Sequence, residues 1–214
     1  MAVICLEGPS GVGKTTIAAW LTQGFGTAVV PEVNLLFERK ADEPWHWYFD
    51  RQADRSSAAK EISSAGQLAV LDGDPFQPLW YNWAYGYDFG EPPEVLHGYY
   101  AKLLADGRLV FPDRYFILAA SEPELRSRKE NDHTRTRRNF ERHLSFIAPQ
   151  RAYFEFLRSR DEKWVRFIDN KSAEVSARRI AEASEGAPAS QDSPEMFSTI
   201  VDWLSRHTAE EFIS

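Results

Sequence analysis

Short apolar runs and longer stretches of helical spacing take turns along this chain, and that pattern predicts its elements. Ala2 to Leu6 reads as a buried strand, and Thr15 to Gln23 as a helix stopping near Gly24. Thr27 to Val30 is a second strand, closed by Pro31-Glu32-Val33-Asn34. Trp45 to Ile62 has helical spacing, with Trp45, Tyr48, Phe49, Gln52, Ala59 and Ile62 near one side. Gln67 to Leu71 is a third strand, ended by Asp72-Gly73-Asp74-Pro75, and Pro75 opens a Trp- and Tyr-rich stretch through Tyr87. Glu91 to Leu104 predicts a helix with Gly107 as its stop, Tyr115 to Ala119 a fourth strand, and Glu122 to Lys129 a further helix. A basic segment from Arg126 to Arg142 leads into a long helix reaching Arg158. Trp164 to Ile168 is a fifth strand and Ala173 to Ala183 the helix after it. Ser184 to Ser193 reads as a loop, and Pro194 to His207 as a terminal helix capped by Ser193.

Strands alternating with helices imply the α/β class: a parallel five-stranded sheet flanked by helices on both faces. In such sheets ligands bind beyond the carboxyl ends of the strands. The residues just after each strand therefore carry most of the chemistry: Gly8 to Thr16, Glu32, Asp72 and Asp74, and Ser121 onward.

The first of these stretches, Gly8-Pro9-Ser10-Gly11-Val12-Gly13-Lys14-Thr15-Thr16, fits the pattern G-x-x-x-x-G-K-[ST] at every required position. The glycines let backbone N–H groups approach a polyphosphate, and the following helix aims its positive end at the same anion. Lys14 adds a mobile charge for the outer phosphates, and the Thr15 hydroxyl is placed to bind Mg²⁺. Gly8, Ser10, Gly11, Val12, Gly13, Lys14, Thr15 and Thr16 are thus expected to hold ATP with Mg²⁺.

An acid after an apolar strand serves the same chemistry. Asp72 is expected to share the metal with Thr15, and Asp74 or Glu32 to accept a proton from the acceptor. Asp72-Gly73 and Asp74-Pro75 are also good turn chemistry. Arg126, Arg128, Lys129, Arg135, Arg137, Arg138 and Arg142 crowd one stretch, which reads as a lid closing over triphosphate. Within it Arg128 is assigned to the nucleotide, and Arg135 and Arg138 to the transferring charge; a solvated helix with local ion pairs is the plainer reading. Arg51 and Arg55 lie four apart on one predicted helix and suit an anionic group, while Gln52 suits a base edge; an exposed polar face would look the same. Most of the aromatics from Trp45 to Tyr85 are expected in the core, with one or two free to stack on a flat substrate.

Bulk properties narrow the setting. At 214 residues one domain spanning 1–214, with a lid at about 126–142, is expected. A net charge of -7 argues against a general nucleic-acid binder. Cys5 is the sole cysteine, which excludes an internal disulfide and fits a cytoplasmic setting. No run is long enough to span a membrane. The expected partner is a small-molecule acceptor, with a homodimer as an option.

The loop is similar to those of nucleotide and nucleoside kinases, Gly8 to Lys14 resembling the guanylate kinase form. Leu71-Asp72-Gly73 resembles the strand end of adenylate and cytidylate kinases. Ser121-Glu122-Pro123-Glu124 followed by arginines resembles the order in thymidylate and deoxynucleoside kinases. That resemblance implies a phosphate-loop kinase fold and maps a base onto Glu32. It departs at Asp72-Gly73-Asp74, where those kinases carry Glu-Arg-Ser or Asp-Arg-Tyr; a specialised hydroxyl, such as that of an antibiotic, then becomes credible as the acceptor. The expected activity is transfer of the terminal phosphate of ATP to a small-molecule hydroxyl or phosphate. The competing class is a nucleotide-dependent switch acting through a protein partner.

Overall fold

The computed structural model describes residues 1–88, 91–132, 140–187 and 194–213. Five strands, β1 (Val3–Glu7), β2 (Ala28–Val30), β3 (Ala69–Asp72), β4 (Arg114–Ala119) and β5 (Val165–Asp169), form one sheet. Its order is β2-β3-β1-β4-β5, and every pairing is parallel. The parallel register sets Leu6 beside Asp72 and Val30 beside Leu71, so the chain leaves β1, β2 and β3 along one edge.

The inner strands β1, β3 and β4 read as nearly continuous apolar runs because both faces of the sheet are covered there, whereas the edge strand β5 carries the exposed Arg166. Alternate residues go to opposite cores: Val3, Cys5, Leu71, Tyr115 and Ile117 to one, Ile4, Leu6, Val70, Phe116 and Leu118 to the other. The second core is closed by α1 (Lys14–Phe25) and α9 (Ala173–Ser184). The first is aromatic and is closed by α3 (Trp47–Ser64), α4 (Gln77–Ala84), α5 (Pro93–Ala105), α8 (Ile147–Arg160) and α10 (Pro194–Arg206). Phe76 stacks on Phe111 with centroids 4.1 Å apart. Two of the fully buried indoles donate to backbone: Trp83 to the His207 carbonyl at 2.7 Å and Trp164 to that of Pro112 at 2.8 Å. Cys5 is fully buried, and burial pushes its thiol pKa up, as for a small core residue.

Two expectations need correction. The helix anticipated through Arg158 is two helices, α7 (Phe140–Ser145) and α8, separated at Phe146. Pro149 explains the break: it has no N–H, and its ring excludes the Ser145 carbonyl that a continuous helix would place there. The loop after β2 contains an unanticipated short helix, α2 (Val33–Leu36). α6 (Glu122–Glu130) starts with a capping box between Ser121 and Glu124, and a 3₁₀ turn at Ala209–Phe212 ends the described chain. The proposed cap Ser193 lies outside the described residues. Among those described, no helix is long and apolar enough to cross a membrane.

Candidate active site

The loop from Gly8 to Gly13 turns directly into α1. Gly8 and Gly13 are required as glycines. A β-carbon on Gly8 (φ 145°) would sit 2.5 Å from the Leu118 carbonyl oxygen, and one on Gly13 (φ 100°) 3.0 Å from Asn170 Nδ2. Lys14 Nζ donates to the Gly8 carbonyl at 2.9 Å and lies 3.9 Å from Glu32 Oε1. The Thr15 hydroxyl donates to Asp72 Oδ2 at 2.9 Å. Asp72 Oδ1 is buried with no hydrogen-bond partner, and burial raises the carboxyl's pKa. Two hard oxygens, one on a side chain that lacks a second partner, suit Mg²⁺, which keeps phosphate and water oxygens as its other ligands. Among the described residues no group of three or more acid, His or Cys side chains is arranged to hold a metal ion.

These groups face one polar cavity of about 330 Å³. Gly8, Ser10, Gly11, Gly13, Lys14, Thr15, Glu32, Gln52, Arg55, Asp72, Gln77, Tyr48, Tyr81 and His143 line it. His143 went unnoticed in the sequence; burial, then the nearby Lys14 charge, lowers its pKa. On the far side of the loop a cavity of about 770 Å³ is lined by Gly11, Gly13, Thr15, Thr16, Arg128, Asn170 and Lys171. Arg128 donates to the Val12 carbonyl at 3.0 Å and to that of Asn170 at 2.7 Å. Asn170 Nδ2 also donates to Val12, at 2.6 Å, so the end of β5 and α6 both brace the loop. The Val12 side chain itself is core; only its backbone faces this region.

Other expected residues go elsewhere. Asp74 does not reach the cavity. Its carboxylate is fully buried and accepts from the Phe76 N–H at 3.0 Å, Trp80 Nε1 at 3.0 Å and the Tyr115 hydroxyl at 3.1 Å. Arg51 is also absent from the cavity lining, pairing with Asp54 at 3.0 Å and lying over the Phe37 ring. Its partner in the sequence, Arg55, turns inward instead. That guanidinium is 2% exposed and donates to the carbonyls of Pro31, Val30, Asp72 and Gly73, so it ties the ends of β2 and β3 together. It also donates to Gln52 Oε1, which leaves Gln52 in the lining with its carbonyl taken. Arg126 and Lys129 pair with Glu141 on the surface, and Arg126 with Glu122 as well. Arg135 and Arg138, with the centre of the expected lid, lie outside the described residues.

Sequence reading missed Glu7. It is 1% exposed, and its carboxylate accepts from the Gly8 N–H at 2.7 Å, the Asp74 N–H at 2.8 Å and Gln150 Nε2 at 3.2 Å. One acid thereby couples the phosphate loop, the turn after β3 and helix α8. The usable signal was its position: an ionisable residue ending a strand buried on both faces must be met by donors.

Burial, and then the Glu7 charge, push the Asp74 pKa up to about 7, although its three donors act the other way. The folded protein then holds a proton that the unfolded chain has released. This contribution to stability is complete below the unfolded value of 3.8 and is lost as pH rises towards about 7. Thermal melting across that window should show a falling midpoint, and Asp74→Asn should flatten the slope. An unchanged slope in the variant would refute the assignment.

Residues 3–156 match the model of a family described as AAA domain. Among curated proteins none matches the sequence. Among solved structures, thymidylate kinase from Candida albicans is similar at 18% identity and a TM-score of 0.60, over 86% of this chain and 91% of that one. Deoxyadenosine kinase from M. mycoides, whose structure contains dATP, is similar at 15% identity and a TM-score of 0.52, over 86% of this chain and 100% of its own. The parallel sheet flanked by helices is the fold of the phosphate-loop nucleotide kinases.

Proposed function

The chain belongs to the AAA domain family, and from that premise we propose that it transfers the terminal phosphate of ATP to a small-molecule hydroxyl or phosphate. The observation that carries this reading is the shared polar cavity. Lys14, the Thr15–Asp72 pair and the half-exposed acid Glu32 all face it. A nucleotide switch needs the first two groups; a half-exposed acid in the same cavity, 3.9 Å from Lys14 Nζ, suits an acceptor.

The roles follow from placement. The loop N–H groups and Lys14 hold the phosphates, and the cavity beside Arg128 and Asn170 has room for the nucleoside of ATP. Thr15 and Asp72 would hold Mg²⁺, whose charge would offset that of the outer phosphates. Glu32 accepts the acceptor proton as the new oxygen–phosphorus bond forms and the bond to the ADP leaving oxygen breaks. Arg135 and Arg138 remain proposed for the transferring charge. Glu7 orients the loop through Gly8.

ADP release should be measured with ATP alone and with panels of nucleosides, nucleotides and hydroxylated antibiotics. One class should stimulate release about tenfold or more. Equal rates throughout, together with a stable complex with another protein, would favour the switch.

A further inference from the structure

We propose that the acceptor presents an unphosphorylated hydroxyl on a flat molecule, and that Gln77 reads its polar edge between Tyr48 and Tyr81. This rests on the phosphotransferase reading and narrows it. The polar cavity continues into a second one of about 640 Å³, and Tyr48, Gln77 and Tyr81 line both. Beyond that neck the walls are Trp45, Phe49 and Tyr85. The route from the phosphate loop to a bound molecule therefore passes between two tyrosines into an aromatic chamber, which suits a planar body.

Charge decides what reaches the loop. The acids at the reacting end are Glu32 and Asp72. Among the described residues, Lys14 and Arg55 are the lysine and arginine side chains that line that end. Arg55 is spent on backbone carbonyls, and Arg51 on Asp54. Arg39 and Arg142, in the outer chamber, lie over the Trp47 and Tyr85 rings, with the Arg142 guanidinium 4.0 Å from the ring centre. Lys14 serves the donor phosphates, and the position after Asp72 is Gly73, without charge. A second phosphate would meet two carboxylates across a short gap, whereas a hydroxyl offers Glu32 its proton.

Gln77 is the amide at the neck shared by the two cavities, placed to recognise the molecule. It is the first residue of α4, and its carboxamide has no hydrogen-bond partner among the described residues, as is true of the Tyr48 and Tyr81 hydroxyls. Gln52, the amide that sequence alone favoured, has its carbonyl occupied by Arg55. Of the amides along the route, Asn34 and Gln52 line only the first cavity and Asn82 only the second, so Gln77 is the one in the neck, where it can pair a donor and an acceptor with one substrate edge.

The test compares ADP release with two matched sets: common nucleosides and aromatic alcohols, and the monophosphates of the same compounds. Stimulation by the first set alone is expected. Gln77→Leu should raise KM for the stimulating compound about tenfold, leaving KM for ATP unchanged, and Gln77→Asn should recover part of the loss. Stimulation by the monophosphates, stimulation by neither set, or an unchanged acceptor KM in a Gln77→Leu protein of normal melting temperature would each overturn the proposal. If neither set stimulates, transfer of label from ATP to a wider metabolite extract separates the two readings. Label in a new ester overturns only the acceptor class; label in inorganic phosphate alone overturns the phosphotransferase reading as well.

Discussion

Lys14→Ala should lower acceptor phosphorylation by about a thousandfold or more in kcat/KM, with the melting temperature little changed. The ammonium is positioned before any nucleotide arrives, 2.9 Å from the Gly8 carbonyl at the start of the loop and 3.9 Å from Glu32 across the cavity. Removing it leaves the triphosphate facing Glu32 and Asp72 without their nearest opposing charge, and the loop without the bond that draws its two ends together. Both effects weaken ATP binding and the transition state. The side chain spans a cavity and supports no core, so folding should survive. Steady-state kinetics with direct ATP-binding measurements check this, and activity within about tenfold of the parent would refute the role given to Lys14.

Glu32→Gln should produce a different signature. A fall in kcat of about a hundredfold to ten-thousandfold is expected, with ATP affinity close to unchanged. Four acids surround the strand ends, and their settings separate them. Glu7 and Asp74 are buried and saturated with donors. Asp72 is bound by Thr15 and faces the proposed metal. Glu32 caps α2 at the cavity wall with a side chain 37% exposed, so it alone can meet an arriving hydroxyl. The glutamine keeps shape and removes the base. A variant with parental kcat would return the role to another group, and a variant that loses ATP affinity would recast Glu32 as a partner of Lys14.

The parts of this site that sequence made legible are those encoded locally. The phosphate loop is one contiguous pattern whose strand and helix flank it directly, and Asp72 ends an apolar run. The parallel five-stranded sheet needed only the alternation of elements, whereas its order, β2-β3-β1-β4-β5, came from the structure. The misread residues depend on distant partners. Arg51 and Arg55 share a helical spacing, yet one faces Asp54 and the other is drawn into the gap between β2 and β3. Asp74 looked like a second cleft acid because it follows the end of an apolar strand. Trp80 and Tyr115, which turn it into the core, belong to a helix and a strand that only folding brings together. Glu7 was hidden by the motif beside it, although its partners join three separate elements. Gln77 lay within an aromatic stretch whose core role is largely real, and its exposure to the cavity follows from where α4 begins.

The central claim is that the terminal phosphate of ATP ends on an acceptor. ATP labelled at the γ-phosphate should be incubated with the protein and the hydroxylated acceptor set, and the products separated. The label should accumulate in a new phosphate ester, and do so at a far lower rate with Lys14→Ala or Glu32→Gln. Label found only in inorganic phosphate, at a rate indifferent to every acceptor, would contradict the account.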